Sequence, residues 1–166
     1  QSIEWNTTGT VSNVKLEYSK NAFSDELQTT VIAASTANTG TYSWTVADAI
    51  SNLMKIRVSD VNNANAYDVS NAIFKIRGAL LVTAPNGGEP WEIGTDQNIT
   101  WTRTGSIANA KIEYSTNAFS DELQTAVIVA STDASTGTYE WTIPDTPSTT
   151  AKVRVTDASD ATVLDT

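Results

Sequence analysis

The chain has 166 residues, with 10 Lys and Arg against 19 Asp and Glu, a net charge of −9, a pI near 4.3, and neither cysteine nor histidine. That composition excludes disulfide staples, thiolate chemistry and the usual neutral-pH acid/base and transition-metal ligand. It also makes nucleic acid and anionic lipid poor partners, and no apolar run approaches the roughly 20 residues that span a bilayer.

In chain order, Ile3 and Trp5 flank Glu4, and Val14, Leu16 and Tyr18 alternate with Lys15, Glu17 and Ser19. This is the period-two pattern of strands with one buried face. The segment Asn21–Thr29 breaks the alternation. Ser24 can cap one helical turn there, with Asp25 and Glu26 in its first turn, before the next strand. After the turn Asn38-Thr39-Gly40, inward positions are expected at Tyr42, Trp44 and Val46, then at Met54, Ile56 and Val58. Asp60 and Asp68 bracket an Asn-rich loop. Ala72, Phe74 and Ile76 form the last strand, Asn71–Arg77, which runs through Gly78 into Leu80–Thr83.

From there the chain repeats itself. Asn21-Ala-Phe-Ser-Asp-Glu-Leu-Gln-Thr29 recurs letter for letter at 117–125, a shift of 96 (21 to 117) that also pairs Trp5 with Trp101 and Tyr18 with Tyr114. Past Ser131–Ser135 the shift becomes 97 (40 to 137), pairing Trp44 with Trp141, Lys55 with Lys152 and Asp68 with Asp165. Short alternating strands at this spacing predict an all-β fold: tandem immunoglobulin-like β-sandwiches without a disulfide, residues 1–78 and 79–166, with almost no linker. The termini are out of phase with the repeat. Leu80–Asp96 has no counterpart before Gln1, and Ser70–Gly78 has none after Thr166. The first repeat is therefore expected to lack its N-terminal strand and the second its C-terminal strand. The chain is either an excerpt of a longer array, or its copies complete one another by strand addition at an open sheet edge.

Candidate sites follow from the repeat. Phe23, Asp25, Glu26 and Leu27, with their copies Phe119, Asp121, Glu122 and Leu123, either cap a turn on the sandwich rim or form a contact surface between repeats or chains. Asp25 and Glu26 are adjacent on a short loop and do not face each other across a cleft as glycoside hydrolysis needs; no catalytic residue is assigned. Lys15, Lys55, Arg57, Lys75, Arg77, Lys111, Lys152 and Arg154 alternate with apolar residues on strands expected to be adjacent, with Glu17 and Glu113 embedded among them. The pattern fits cross-strand pairing, and also a basic stripe in which Lys55, Arg57, Lys152 and Arg154 dock the acidic loops of a neighbour. Asp60, Asp68, Asp157, Asp160 and Asp165 offer the oxygens calcium takes, without EF-hand spacing. No other cofactor is implied. Asn6 and Asn98 head N-glycosylation sequons.

Pro85-Asn86-Gly87-Gly88-Glu89, Trp91, Gly94, Ile99 and Trp101, then Thr104-Gly105, Lys111–Ser115, Gly137–Asp145, Lys152–Val155 and Asp157, resemble the Ser/Thr-rich Ig-like (fibronectin-III-like) tandem repeat of bacterial and archaeal secreted surface proteins. That module is similar to one in fungal cell-wall Ser/Thr-rich anchored proteins. The resemblance implies spacer, adhesive or assembly roles outside the cell, with no catalytic residues. The Asn21–Thr29 loop stands where the family often has an Asp-Gly-Gly hairpin. The leading expectation is a non-enzymatic, self-associating structural repeat of an extracellular filament or cell-surface assembly. The alternatives are an adhesin module binding surface polysaccharide and an accessory domain of a secreted enzyme.

Overall fold

Alternation puts one face of each strand inward, and the computed structural model, which describes residues 1–166, packs those faces as antiparallel sheets. The fold is all-β. Its helical pieces are the 3₁₀ turns Glu26–Gln28, Glu122–Gln124 and Ala134–Thr136. The chain divides into two compact units, Gln1–Arg77 and Gly78–Thr166, each an immunoglobulin-like arrangement of two sheets.

In the first unit, β1 (Ser2–Glu4) pairs with β4 (Thr41–Ser43) as a small sheet. Opposite lie β2 (Asn13–Ser19), β3 (Thr29–Ala37), β5 (Ser51–Asp60) and β6 (Asn63–Val69) in the order β3-β2-β5-β6. The short β7 (Phe74–Ile76) pairs with the start of β5, Ile76 opposite Ser51 and Phe74 opposite Met54. Ile3, Tyr18, Trp44, Ala49, Met54 and Ile76 form a buried cluster, with Phe74 and Ile56 packed against it.

In the second unit, β8 (Ala79–Ala84), β9 (Asp96–Thr104) and β12 (Thr138–Thr142) form a three-stranded sheet in the order β12-β9-β8. β10 (Asn109–Ser115), β11 (Thr125–Asp133), β13 (Lys152–Asp157) and β14 (Asp160–Asp165) form the other, in the order β11-β10-β13-β14. Ile99, Trp101, Ile107, Ile112 and Val155 are buried.

Three expectations change. The Asp60–Asp68 segment is a β5–β6 hairpin rather than a loop, because its backbone pairs with β5 (Val58 opposite Asp68, Ser59 opposite Tyr67) although its side chains are exposed. Val46 is exposed, because β4 ends at Ser43 and the alternation does not continue. Gly78, expected to close the first repeat, lies in the second unit. A Cβ there would sit 2.7 Å from both the Ile107 side chain and the Thr104 carbonyl, so only glycine admits that approach.

Candidate functional site

Two surfaces stand out: a loop of identical sequence in both units, and a groove in each unit at a different place.

The loop leaves the end of β2. Ala22 and Phe23 both adopt left-handed backbone, φ 58° and 61°, as do Ala118 and Phe119, φ 58° and 59°. Consecutive non-glycine residues in that region cost energy and persist only when surroundings fix them. Here the fixing group is the fully buried Ser19, whose hydroxyl donates to Asn21 Oδ1 (2.6 Å) and accepts from the Asn21 and Phe23 amides (3.2 and 2.9 Å). Asn21 in turn donates from Nδ2 to Asp25 (2.8 Å), and the other Asp25 oxygen accepts the Leu27 amide (2.8 Å). The cap of the 3₁₀ turn is thus Asp25 and not Ser24, because the carboxylate already held by Asn21 reaches the free N–H. Ser115, Asn117 and Asp121 repeat each of these bonds.

The same loop meets the basic strand. Glu17 faces Arg57 across β2 and β5, and accepts from Arg57 Nε (3.0 Å) and Lys15 Nζ (2.6 Å). Arg57 then forks both terminal nitrogens onto Glu26 (2.9 and 3.0 Å) and lies over the Phe23 ring, 4.6 Å from its centroid. These bonds to Arg57 hold the Glu26 carboxyl below its usual range. In the second unit, Glu113 takes Lys111 (2.5 Å) and Arg154 (3.0 Å), Arg154 reaches Glu122 at 3.6 Å, and Arg154 covers Phe119 at 4.3 Å. Burial pushes the Glu113 carboxyl up, but the bonds from Lys111 and Arg154 outweigh it and hold the group below its usual range. The acid-on-base pairing considered between neighbours is therefore made within each unit, by Arg57 with Glu26 and by Arg154 with Glu122. Lys55 and Lys152 take no part in it; Lys55 reaches the Asn71 carbonyl at 3.4 Å.

The loop leucine's side chain joins none of this. Leu27 is 94% exposed and Leu123 96%. A leucine held in water at the tip of a cross-braced loop, twice over, contributes nothing to the packing of its own unit.

The grooves differ. In the first unit, one of about 980 Å³ is lined by β1, Trp5, Trp44, Val58, Ala66, Asp68 and Phe74 among others. In the second, one of about 990 Å³ is lined by Trp91, Tyr114, Trp141, Pro144, Pro147 and Val153 among others. Trp141 packs against Tyr114 (centroids 4.9 Å apart) and edge-on to Trp91 (6.4 Å), all three half-buried.

The remaining candidate residues are dispersed. Of the acids named as calcium candidates, four accept backbone amides. Asp60, Asp157 and Asp160 each accept the amide two residues on (Asn62, Ser159 and Thr162), and Asp165 accepts the Val82 amide. Nowhere do three acidic side chains converge on one point. Asn6 and Asn98 are exposed. Sequence reasoning missed the buried Ser19 and Ser115; their signal was a small hydroxyl residue ending a strand just before an identical loop.

No protein-family model matches the chain, and no curated protein matches it. Among solved structures it is similar to the fibronectin(III)-like modules of Clostridium thermocellum CbhA, at 15% identity and a TM-score of 0.35, over 99% of this chain and 80% of that one. At that level the likeness carries no inference about activity or partners. No helix is long and apolar enough to cross a membrane.

Proposed function

We propose that this chain is a non-catalytic structural repeat of an extracellular or cell-surface assembly, joining identical units through the loop leucines and through strand addition at open sheet edges. The observation that carries this reading is the pair Leu27 and Leu123. Each is almost wholly exposed on a loop braced internally by Asn21, Asp25 and Glu26 or their copies. Repeated contacts need equal surfaces at each step, and these loops share their sequence, their left-handed backbone pair and their Ser-Asn-Asp bonds. The hydroxyl-rich composition, with charged residues at only 17%, supports a location outside the cell. The test is sedimentation and electron microscopy of the chain across concentration. Association that falls when Leu27 and Leu123 are both changed to Ala is the expected result; equal association in the double variant overturns the reading.

A second reading is supported by the half-buried Trp91, Tyr114 and Trp141 beside the hydroxyls of Thr116, Ser148 and Thr150 in the second unit's groove. Aromatic faces with hydroxyls suit a sugar ring. Retention on insoluble cell-wall polysaccharide, lost in Trp91→Ala, is its test.

A further inference from the structure

We propose that the groove of the first unit is a receptor for one kind of occupant: an extended peptide segment of the Ala79–Ala84 type, seated as β8 is seated in the second unit. The inference rests on the reading of the chain as an assembly repeat and names the partner of one of its edges.

The second unit shows how such a segment is held. There β8 lies along β9, with Leu80 opposite Arg103 and Val82 opposite Trp101. Leu80 and Val82 point inward and are buried, and β8 packs over β13 and β14, where Val155 and Val163 are buried too. One further bond sets the register: the Val82 amide donates to Asp165 Oδ2 at 2.8 Å. A one-residue slip would break that bond and turn both apolar side chains to the wrong face.

Each of these partners has its repeat counterpart in the first unit, and all of them line the groove. Trp5 corresponds to Trp101, Val58 to Val155, Ala66 to Val163 and Asp68 to Asp165. β1 uses one edge to pair with β4, as β9 uses one edge to pair with β12; the other edge of β9 carries β8, and the other edge of β1 borders the groove. Exposure agrees. Trp101 and Val155 are buried, whereas Trp5 and Val58 are half-exposed. The groove therefore offers a strand edge, an apolar floor and a carboxylate where an incoming amide needs an acceptor. Main-chain bonds supply affinity, and alternate side chains supply selectivity. Asp68, a calcium candidate on sequence grounds, is here the register pin.

The experiment adds an end-blocked synthetic peptide of residues 78–88 to the intact chain. The readouts are tryptophan fluorescence, thermal unfolding and amide hydrogen exchange. Saturable binding, a raised midpoint of unfolding and new protection of the β1 amides are expected. A peptide with Leu80→Ser and Val82→Ser should not bind. Asp68→Ala in the chain should weaken binding about tenfold, with Asp68→Asn restoring part of the loss. Absence of binding overturns the proposal, as does binding indifferent to Asp68 and to the two apolar residues, or saturation of the groove by an oligosaccharide instead. Peptide binding fails independently of the wider reading: a chain that associates through Leu27 and Leu123 but ignores the peptide sinks the receptor and leaves the assembly standing.

Discussion

The two units have nearly the same strands, yet their cores are closed at opposite ends. In the first, Met54 is fully buried and Tyr18 and Trp44 are buried with it, because β7 lays Phe74 and Ile76 over them. The corresponding Ala151 is exposed, and Tyr114 and Trp141 are half-exposed. In the second unit the order reverses. β8 covers Trp101 and Val155, while their counterparts Trp5 and Val58 are half-exposed. A residue's burial here is decided less by its own identity than by which flanking strand lies over it.

The sharpest test of that contrast compares equivalent tryptophans. Trp101→Ala should cost about 3–5 kcal/mol in chemical denaturation, the range for a buried aromatic, and it also removes the indole bond to the Ala134 carbonyl. Trp5→Ala should cost about half as much, since its ring is partly wet and its indole bonds the Asn38 side chain. Equal costs would break the comparison. Next in size, Ile76→Ala should destabilise the first unit by about 2–4 kcal/mol by uncovering Met54, and the melting of the second unit should not follow.

A smaller effect separates two glycines. Gly137 has φ +67°, and a Cβ there would lie 2.9 Å from the Trp101 carbonyl; Gly40 has φ +83° and 3.3 Å to the Trp5 carbonyl. Gly137→Ala should cost about 1–3 kcal/mol and Gly40→Ala less, in the same denaturation assay.

Acid titration sharpens the comparison in another direction. The folded Glu113 carboxyl lies below its unfolded value of 4.5, so its contribution is complete above that pH and is lost as pH falls through the lower folded value. Thermal midpoints of the wild type should decline below pH 4.5 more steeply than those of Glu113→Gln. The smallest effect belongs to the loop tips: Leu27→Ala and Leu123→Ala should each leave stability within about 0.5 kcal/mol of wild type, although association is expected to fall.

Much of this architecture was legible. Alternation at Val14–Tyr18 and at Met54–Val58 locates β2 and β5, and the pairing of Glu17 with Arg57 follows from their opposite places on adjacent strands. β6 was not legible, because Asn63–Val69 is polar and exposed and is a strand only by its backbone bonds to β5. The Asp25 cap was hidden by Ser24, which looks the better cap until Asn21 is seen to hold the carboxylate. The inverted wetting of the two cores was out of reach of periodicity, which marks the inward face of a strand but not what lies across it. The loop was legible as a candidate, but the division of labour inside it, with Phe23 under Arg57 and Leu27 in solvent, required coordinates.

The left-handed pair at Ala22 and Phe23 also bears on how this chain can change over time. Those dihedrals are held by Ser19, which is tied to Asn21, which is tied to Asp25. Altering one member loosens the others, so single-letter drift is penalised at several places together while copying the whole block is not. The same chain of bonds, Ser115 to Asn117 to Asp121, holds the second left-handed pair at Ala118 and Phe119, so the two loops should respond alike to the same substitution.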